Sequence, residues 1–141
     1  MDKRILGLDY GDARIGVAVS DALGITAQGV GVIKRGRYVE NDIEEIKGYI
    51  EQYDAGLVIL GHPINLSGER GERAVITEDF HELLLKSVDV PVKLWDERLS
   101  TREAERALDE GGVNWRKRKE VVDMMAAQLI LTSYLDFNSV T

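Results

Sequence analysis

The sequence has 141 residues, a net charge of −7, and 44% hydrophobic and 30% charged residues, so we expect one globular domain over residues 1–141 and exclude a disordered chain. With no cysteine and only His62 and His81, a disulfide framework and a cysteine or histidine zinc site are excluded, whereas an all-oxygen site for a hard metal stays open. The sequence has no signal-peptide pattern and no membrane-length apolar run, so we expect a cytoplasmic protein without a membrane partner.

The first part of the chain predicts three short strands in a meander. An apolar run at residues 5–8 ends at Asp9, and the turn-prone residues 11–13 lead into a second strand at residues 15–20. Residues 29–34 form the third strand. Short connections of this kind join antiparallel neighbours.

The rest of the chain alternates helices with two apolar strands. The predicted helices run from Asn41 or Asp42 to about Tyr53, over about 72–87, from Ser100 to before Gly111, and over about 116–135, and the predicted strands are 57–60 and 90–95. A polar loop at residues 61–71 is long enough to indicate a functional segment. Because parallel strands need crossover helices, the order predicts an α/β fold with a mixed five-stranded sheet, three antiparallel meander strands plus two parallel strands, flanked by helices. This is the order of elements in an RNase H-like domain.

Acidic residues stand at the ends of two predicted strands. Asp9 ends the first strand, and Asp96 and Glu97 follow the fifth; ligands of α/β sheets gather at such carboxyl ends. For Asp9 we favour a functional carboxylate over one that caps the turn, because a charge rarely ends a buried strand unpaired. Asp96 and Glu97 point opposite ways on an extended chain, so one of them faces the site, and a solvated loop with Glu97 paired to Arg98 explains the pattern equally well.

Asp123 is the most informative carboxylate. Its neighbours on the last predicted helix are almost all apolar, so its charge needs a cation or a hydrogen-bond donor. The small residues 126–127, one turn on, allow the helix to approach the sheet and bring Asp123 to Asp9. The alternative is a buried ion pair with an arginine, Arg14 or Arg98.

Three carboxylates from separate elements suit Mg²⁺ or Mn²⁺ rather than zinc. Two such ions about 4 Å apart activate water on one side of a phosphodiester and stabilise the leaving oxygen on the other. Crowded carboxylates also hold protons more tightly, so activity should fall at acidic pH. Arg116 and Lys117 open a basic run about one turn before Asp123, and we interpret this run as steering phosphate rather than as a solvated face.

Five blocks of sequence, in order along the chain, carry a family resemblance. They are GLDYG at 7–11, RIGVAVSD at 14–21, GHP at 61–63 with Gly68 and Gly71, DERLST at 96–101 and DMMAA at 123–127. Together they resemble the YqgF-type family of bacterial Holliday junction resolvases, later named pre-16S rRNA nucleases, over about residues 4–135. The family usually has an aliphatic residue where this chain has His62.

The resemblance implies an RNase H-like nuclease that helps to mature the 5' end of the 16S rRNA precursor. It implies Asp9, Glu97 and Asp123 as the acidic triad that holds the metal ions, with Arg14 and Arg98 beside it, touching phosphate or holding the carboxylates. The expected partner is a nucleic acid, precursor rRNA or branched DNA, and the expected state is a monomer or homodimer.

Two rival functions fit parts of the sequence. An actin- or hexokinase-like phosphotransferase has the same sheet and an aspartate-glycine hairpin, but it needs two such domains and leaves Asp123 unexplained. A non-catalytic module that binds ribosomal or transcription proteins fits the acidic balance. Metal-dependent hydrolysis separates the nuclease from both.

Overall fold

The computed structural model describes residues 3–64, 67–96 and 115–139, with the backbone alone for residues 115–119 and 139. The elements, numbered here in chain order, are β1 Arg4–Tyr10, β2 Arg14–Ser20, β3 Ala27–Lys34, α1 Val39–Tyr53, β4 Ala55–His62, α2 Glu72–Ser87, β5 Val92–Asp96 and α3 Trp115–Ser139. The helix predicted between Ser100 and Gly111 lies outside the described residues.

The five strands form one mixed sheet with the order β3-β2-β1-β4-β5. The pairs β1–β2 and β2–β3 are antiparallel, as the short turns require, and β1–β4 and β4–β5 are parallel, with helices as crossovers. The sheet predicted from the sequence, three meander strands plus two parallel strands, is confirmed.

Alternation along the strands divides the core into two layers. Leu6 and Leu8 of β1 pack with the residues that α1 and α2 bury, such as Ile46 and Phe80, whereas Ile5 packs on the opposite face with the buried residues of α3. Odd-numbered residues of β1 therefore face α3. Asp9, an odd-numbered residue of β1, therefore lies on the face of the sheet that α3 covers.

Small residues in three strands let α3 approach the sheet closely. Gly7, Ala18 and Gly29 are cross-strand neighbours. A Cβ atom on Gly7 would lie 3.2 Å from the carbonyl oxygen of Ala127, and one on Gly29 would lie 3.1 Å from the Cβ of Met124. The close approach expected from the small residues of α3 is confirmed, and glycines in the strands contribute as much to it.

Several element boundaries differ from the sequence prediction by a few residues; β5, for example, spans Val92–Asp96 rather than 90–95. Two of these differences have a visible structural setting. Helix α1 begins at Val39, earlier than expected, with no side-chain cap, because Asp42 is buried and its Oδ1 accepts the Gly36 N–H at 3.0 Å instead. Strand β4 continues to His62, which pairs with Asp96 of β5, so the polar loop starts at Pro63, two residues later than predicted.

No helix in the described part of the chain combines the length and apolar character that a membrane span requires. The cytoplasmic location stays a prediction.

Candidate active site

Asp9 lies at the carboxyl end of β1, on the face covered by α3. It is the penultimate residue of the strand rather than the last, because Tyr10 still pairs with Ile15. Its cross-strand neighbour is Gly16 of β2. The residue is partly exposed, so a ligand can reach it from solvent.

Asp123 is brought to Asp9 by the contact of α3 with Gly16. A Cβ atom on Gly16 would lie 1.9 Å from the carbonyl oxygen of Asp123, so only glycine fits beneath the helix at this position. Since Gly16 is opposite Asp9, the helix places Asp123 beside Asp9 on the same face of the sheet. This is the proximity that the sequence pattern predicted.

An arginine partner of Asp123 is also present. The Arg14 Nε donates to Asp123 Oδ2 at 2.5 Å, and the two side chains are 27% and 17% exposed. The ion pair considered as the alternative explanation of Asp123 is therefore found, with Arg14 as the arginine. It occupies one carboxylate oxygen of Asp123 and does not involve Asp9.

The electrostatics of the site centre on Asp9. Burial raises the pKa of its carboxyl group to about 6, the nearby Asp123 carboxylate adds to this rise, and the Arg73 guanidinium opposes both. The higher proton affinity expected from crowded carboxylates is present at Asp9, although loss of hydration contributes more than repulsion. At neutral pH Asp9 is an ionised, poorly solvated carboxylate that favours a cation.

The remaining predicted site residues are only partly covered by the structure. Glu97 and Arg98 lie outside the described residues, and of Arg116 and Lys117 only the backbone is described, in the first turn of α3. Across the described ranges, no group of three acidic, histidine or cysteine side chains is placed to hold a metal.

Asp96 can be assigned to a face of the sheet. Trp95 packs against Tyr134 of α3, with ring centroids 5.2 Å apart, and its Nε1 donates to Ser133 Oγ at 3.1 Å. The next residue along the strand points the other way. Asp96 therefore faces the layer of α1 and α2, away from Asp9.

Sequence reasoning missed Arg73, in the first turn of α2. Its Nη2 donates to the carbonyl oxygen of Tyr10 at 2.7 Å, and its Nη1 contacts the Asp12 carboxylate. A basic residue in the first turn opposes the helix dipole. That unfavourable placement was the one sequence signal that pointed to a role outside the helix.

His62 is tied to α2 rather than to the carboxylates. Its Nε2 lies 2.7 Å from Glu78 Oε2, and Arg70 binds both oxygens of Glu78. The hydrogen bonds from Arg70 and His62 lower the pKa of Glu78 to about 2. These contacts fasten both ends of the polar loop to one helical residue.

Solved structures identify the fold as RNase H-like. Thermus thermophilus RuvC, determined in complex with a Holliday junction substrate, matches with a TM-score of 0.59 at 14% identity, covering 96% of each chain. A second structure of the same RuvC matches with a TM-score of 0.55 at 12% identity, covering 98% of this chain and 97% of that one.

The family is narrower than the fold. A family model described as "RuvX: Holliday junction resolvase" matches residues 3–137. Proteins named "Putative pre-16S rRNA nuclease" are 55% identical over 136 residues in Halothermothrix orenii, covering 96% of each chain, and 49% identical over 138 residues in Clostridioides difficile, covering 97% and 96%. The chain belongs to the RuvX family, which is the YqgF-type family of the sequence blocks and a family of nucleases.

Proposed function

We propose that this protein is a metal-dependent endonuclease that hydrolyses phosphodiester bonds in the 5'-end processing of the 16S rRNA precursor. The observation that carries the proposal is that Asp9 and Asp123 lie on one face of the sheet. Gly16 pairs with Asp9 across the strands and packs against the backbone of Asp123. The names of the most similar relatives support the choice of substrate.

The donors at this edge fit a hard divalent cation. Asp9 and Asp123 offer carboxylate oxygens, which Mg²⁺ and Mn²⁺ prefer. The raised pKa of Asp9, about 6, marks a carboxylate that a cation would stabilise. We propose Glu97 as the third ligand in preference to Asp96, because Asp96 faces the opposite layer of the sheet.

The proposed reaction is in-line hydrolysis by water. Two divalent cations, held by Asp9, Asp123 and Glu97, would supply charge stabilisation of the phosphate and activation of the water. Arg14, paired with Asp123 and partly exposed, is able to turn its remaining N–H groups to a phosphate oxygen. Arg98, Arg116 and Lys117 are proposed to bind the nucleic-acid backbone.

Branched DNA is the second candidate substrate. The description of the family model as Holliday junction resolvase favours it. A non-catalytic module is the third candidate, and the Arg14–Asp123 ion pair favours it, because the pair balances the charge of Asp123 without any metal.

The experiment compares cleavage of precursor 16S rRNA and of a four-way DNA junction with Mg²⁺, with Mn²⁺ and with a chelator. We expect rRNA cleavage that requires a divalent ion and is lost in Asp9→Asn and Asp123→Asn. The matched control is Asp54→Asn, because Asp54 is exposed, remote from β1's carboxyl end and in a left-handed conformation that asparagine tolerates. Cleavage that persists in both site variants, with folding intact, would contradict the proposal.

A further inference from the structure

The turn between β1 and β2 is held by Arg35, which follows β3. The backbone N–H of Arg35 donates to Ala13 O at 2.9 Å, and its Nη1 donates to Gly11 O at 3.0 Å and Asp12 O at 3.1 Å. Its guanidinium lies 4.4 Å from the centroid of the Tyr10 ring. One residue therefore satisfies three consecutive carbonyl groups of the turn.

Arg73 holds the same turn from the other side. It binds the Tyr10 carbonyl and the Asp12 carboxylate, as described above. Together, Arg73 and Arg35 donate a hydrogen bond to each of the four carbonyl groups from Tyr10 to Ala13. The two arginines come from separate elements, the end of β3 and the start of α2.

Arg35 rests on packed surroundings. Arg35 Nε lies 3.6 Å from Oδ2 of Asp42, whose side chain is 2% exposed. The Tyr10 ring beneath the Arg35 guanidinium stacks on Phe80 of α2, with centroids 3.9 Å apart. The turn is thus fixed to the α1 and α2 layer, on the opposite side of the sheet from α3.

The turn is flanked by Asp9 on β1 and by Arg14 on β2, the partner of Asp123. We propose that Arg73, together with Arg35, is a positioning residue of the nuclease site, which holds the β1–β2 turn so that Asp9 and Arg14 meet Asp123 in a fixed geometry. The proposal rests on the proposed function. Displacements of a fraction of an ångström in such supporting residues cost activity because ligand and reactant geometry are lost.

The test uses Mn²⁺ binding to Arg73→Gln, measured by calorimetry without substrate. Removing a positive charge near a cation site by itself tightens cation binding, whereas loss of positioning weakens it. We expect the Kd for Mn²⁺ to rise roughly tenfold. The matched control is Arg70→Gln, which removes the same charge from a residue that binds Glu78 and not the turn, and we expect no weakening there.

Kinetics and hydrogen exchange complete the test. For Arg73→Gln we expect kcat to fall roughly tenfold with KM within about twofold of the wild-type value, and the amides of residues 11–14 to exchange faster. A higher KM with unchanged Mn²⁺ affinity would mean that Arg73 binds substrate instead, and tighter Mn²⁺ binding would mean that it acts by charge alone; either result overturns the proposal. If the amides of the turn exchange at the wild-type rate in Arg73→Gln, Arg73 does not hold the turn and the proposal is overturned. This result does not depend on whether the protein is a nuclease. Absence of both Mn²⁺ binding and cleavage in the wild type defeats the proposed function instead.

Discussion

The carbonyl oxygen of Asp123 occupies the space that a side chain on Gly16 would need, with only 1.9 Å to an ideal Cβ position. Helix α3 therefore rests on bare strand backbone directly opposite Asp9. The geometry of the acidic pair depends on the absence of one methyl group.

Gly16→Ala tests this dependence. The alanine methyl group cannot fit without moving α3 away from the sheet, so we expect a loss of roughly 1–3 kcal/mol or more in the free energy of unfolding and loss of cleavage. Urea denaturation and the cleavage assay measure the two effects. The control is Gly48→Ala in α1, where a Cβ atom meets nothing within 4 Å and a gain of about 0.5–1 kcal/mol is expected. Wild-type stability and activity in Gly16→Ala would refute the role of the contact.

Asp9→Asn should stabilise the protein at neutral pH while abolishing cleavage. The folded-state pKa of Asp9 is raised from 3.8 to about 6, so the folded state binds the proton more tightly than the unfolded state does, and wild-type stability falls as pH rises through this interval. We expect the Asp9→Asn variant to gain on the order of 2 kcal/mol at pH 7 and almost nothing at about pH 4. Metal-free urea titrations at both pH values measure the difference. An equal gain at both pH values would show that the ionised carboxylate is not its source.

Arg14→Gln should make the protein depend more on divalent ions. Asp123 then loses its ion-pair partner, and we expect about 1 kcal/mol of destabilisation without metal. Because a cation no longer competes with the guanidinium, the rise in Tm on adding Mn²⁺ should exceed that of the wild type. Thermal denaturation with and without Mn²⁺ measures this. The control is Arg4→Gln, at the exposed start of β1; equal metal-induced shifts in all three proteins would argue against competition at Asp123.

Glu78→Gln should release the polar loop. The low pKa of Glu78, about 2, reflects its bonds to Arg70 and His62. The stability that its charge contributes is present above the ordinary pKa of 4.5 and is lost as pH falls toward 2. We expect faster hydrogen exchange at residues 67–71, and a stability difference from the wild type that shrinks between about pH 5 and pH 3. The control is Glu82→Gln, because Glu82 is exposed and lies one turn further along α2. This variant should leave hydrogen exchange in the loop unchanged.

The sequence was sufficient for the fold and for the main pair of carboxylates. Strand and helix periodicity determine which face of an element each residue lies on. The position of Asp9 at a strand end and of Asp123 among apolar helix residues therefore predicted that the two lie close together. Gly16, a glycine inside an apolar strand, carried a further signal of close backbone approach that sequence reasoning did not use.

Other parts of the site are not encoded in local patterns. Whether Arg14 or Arg98 pairs with Asp123 depends on tertiary distances; the structure shows the pair with Arg14, and Arg98 lies outside the described residues. Arg35 and Arg73 act on backbone carbonyl groups, which every residue carries, so the sequence does not show which carbonyl groups they bind. Helix α1 starts early because Asp42 does not cap it; its carboxylate accepts the Gly36 N–H and lies beside the Arg35 guanidinium instead.

The ion pair between Arg14 and Asp123 joins residues 109 positions apart, one from the first hairpin and one from α3. Chains are made from the N-terminus. A growing chain that has reached only the end of β5 therefore carries Asp9 and Arg14 but not Asp123. The acidic pair therefore forms only after α3 has been made and has docked on the glycine-bearing strands.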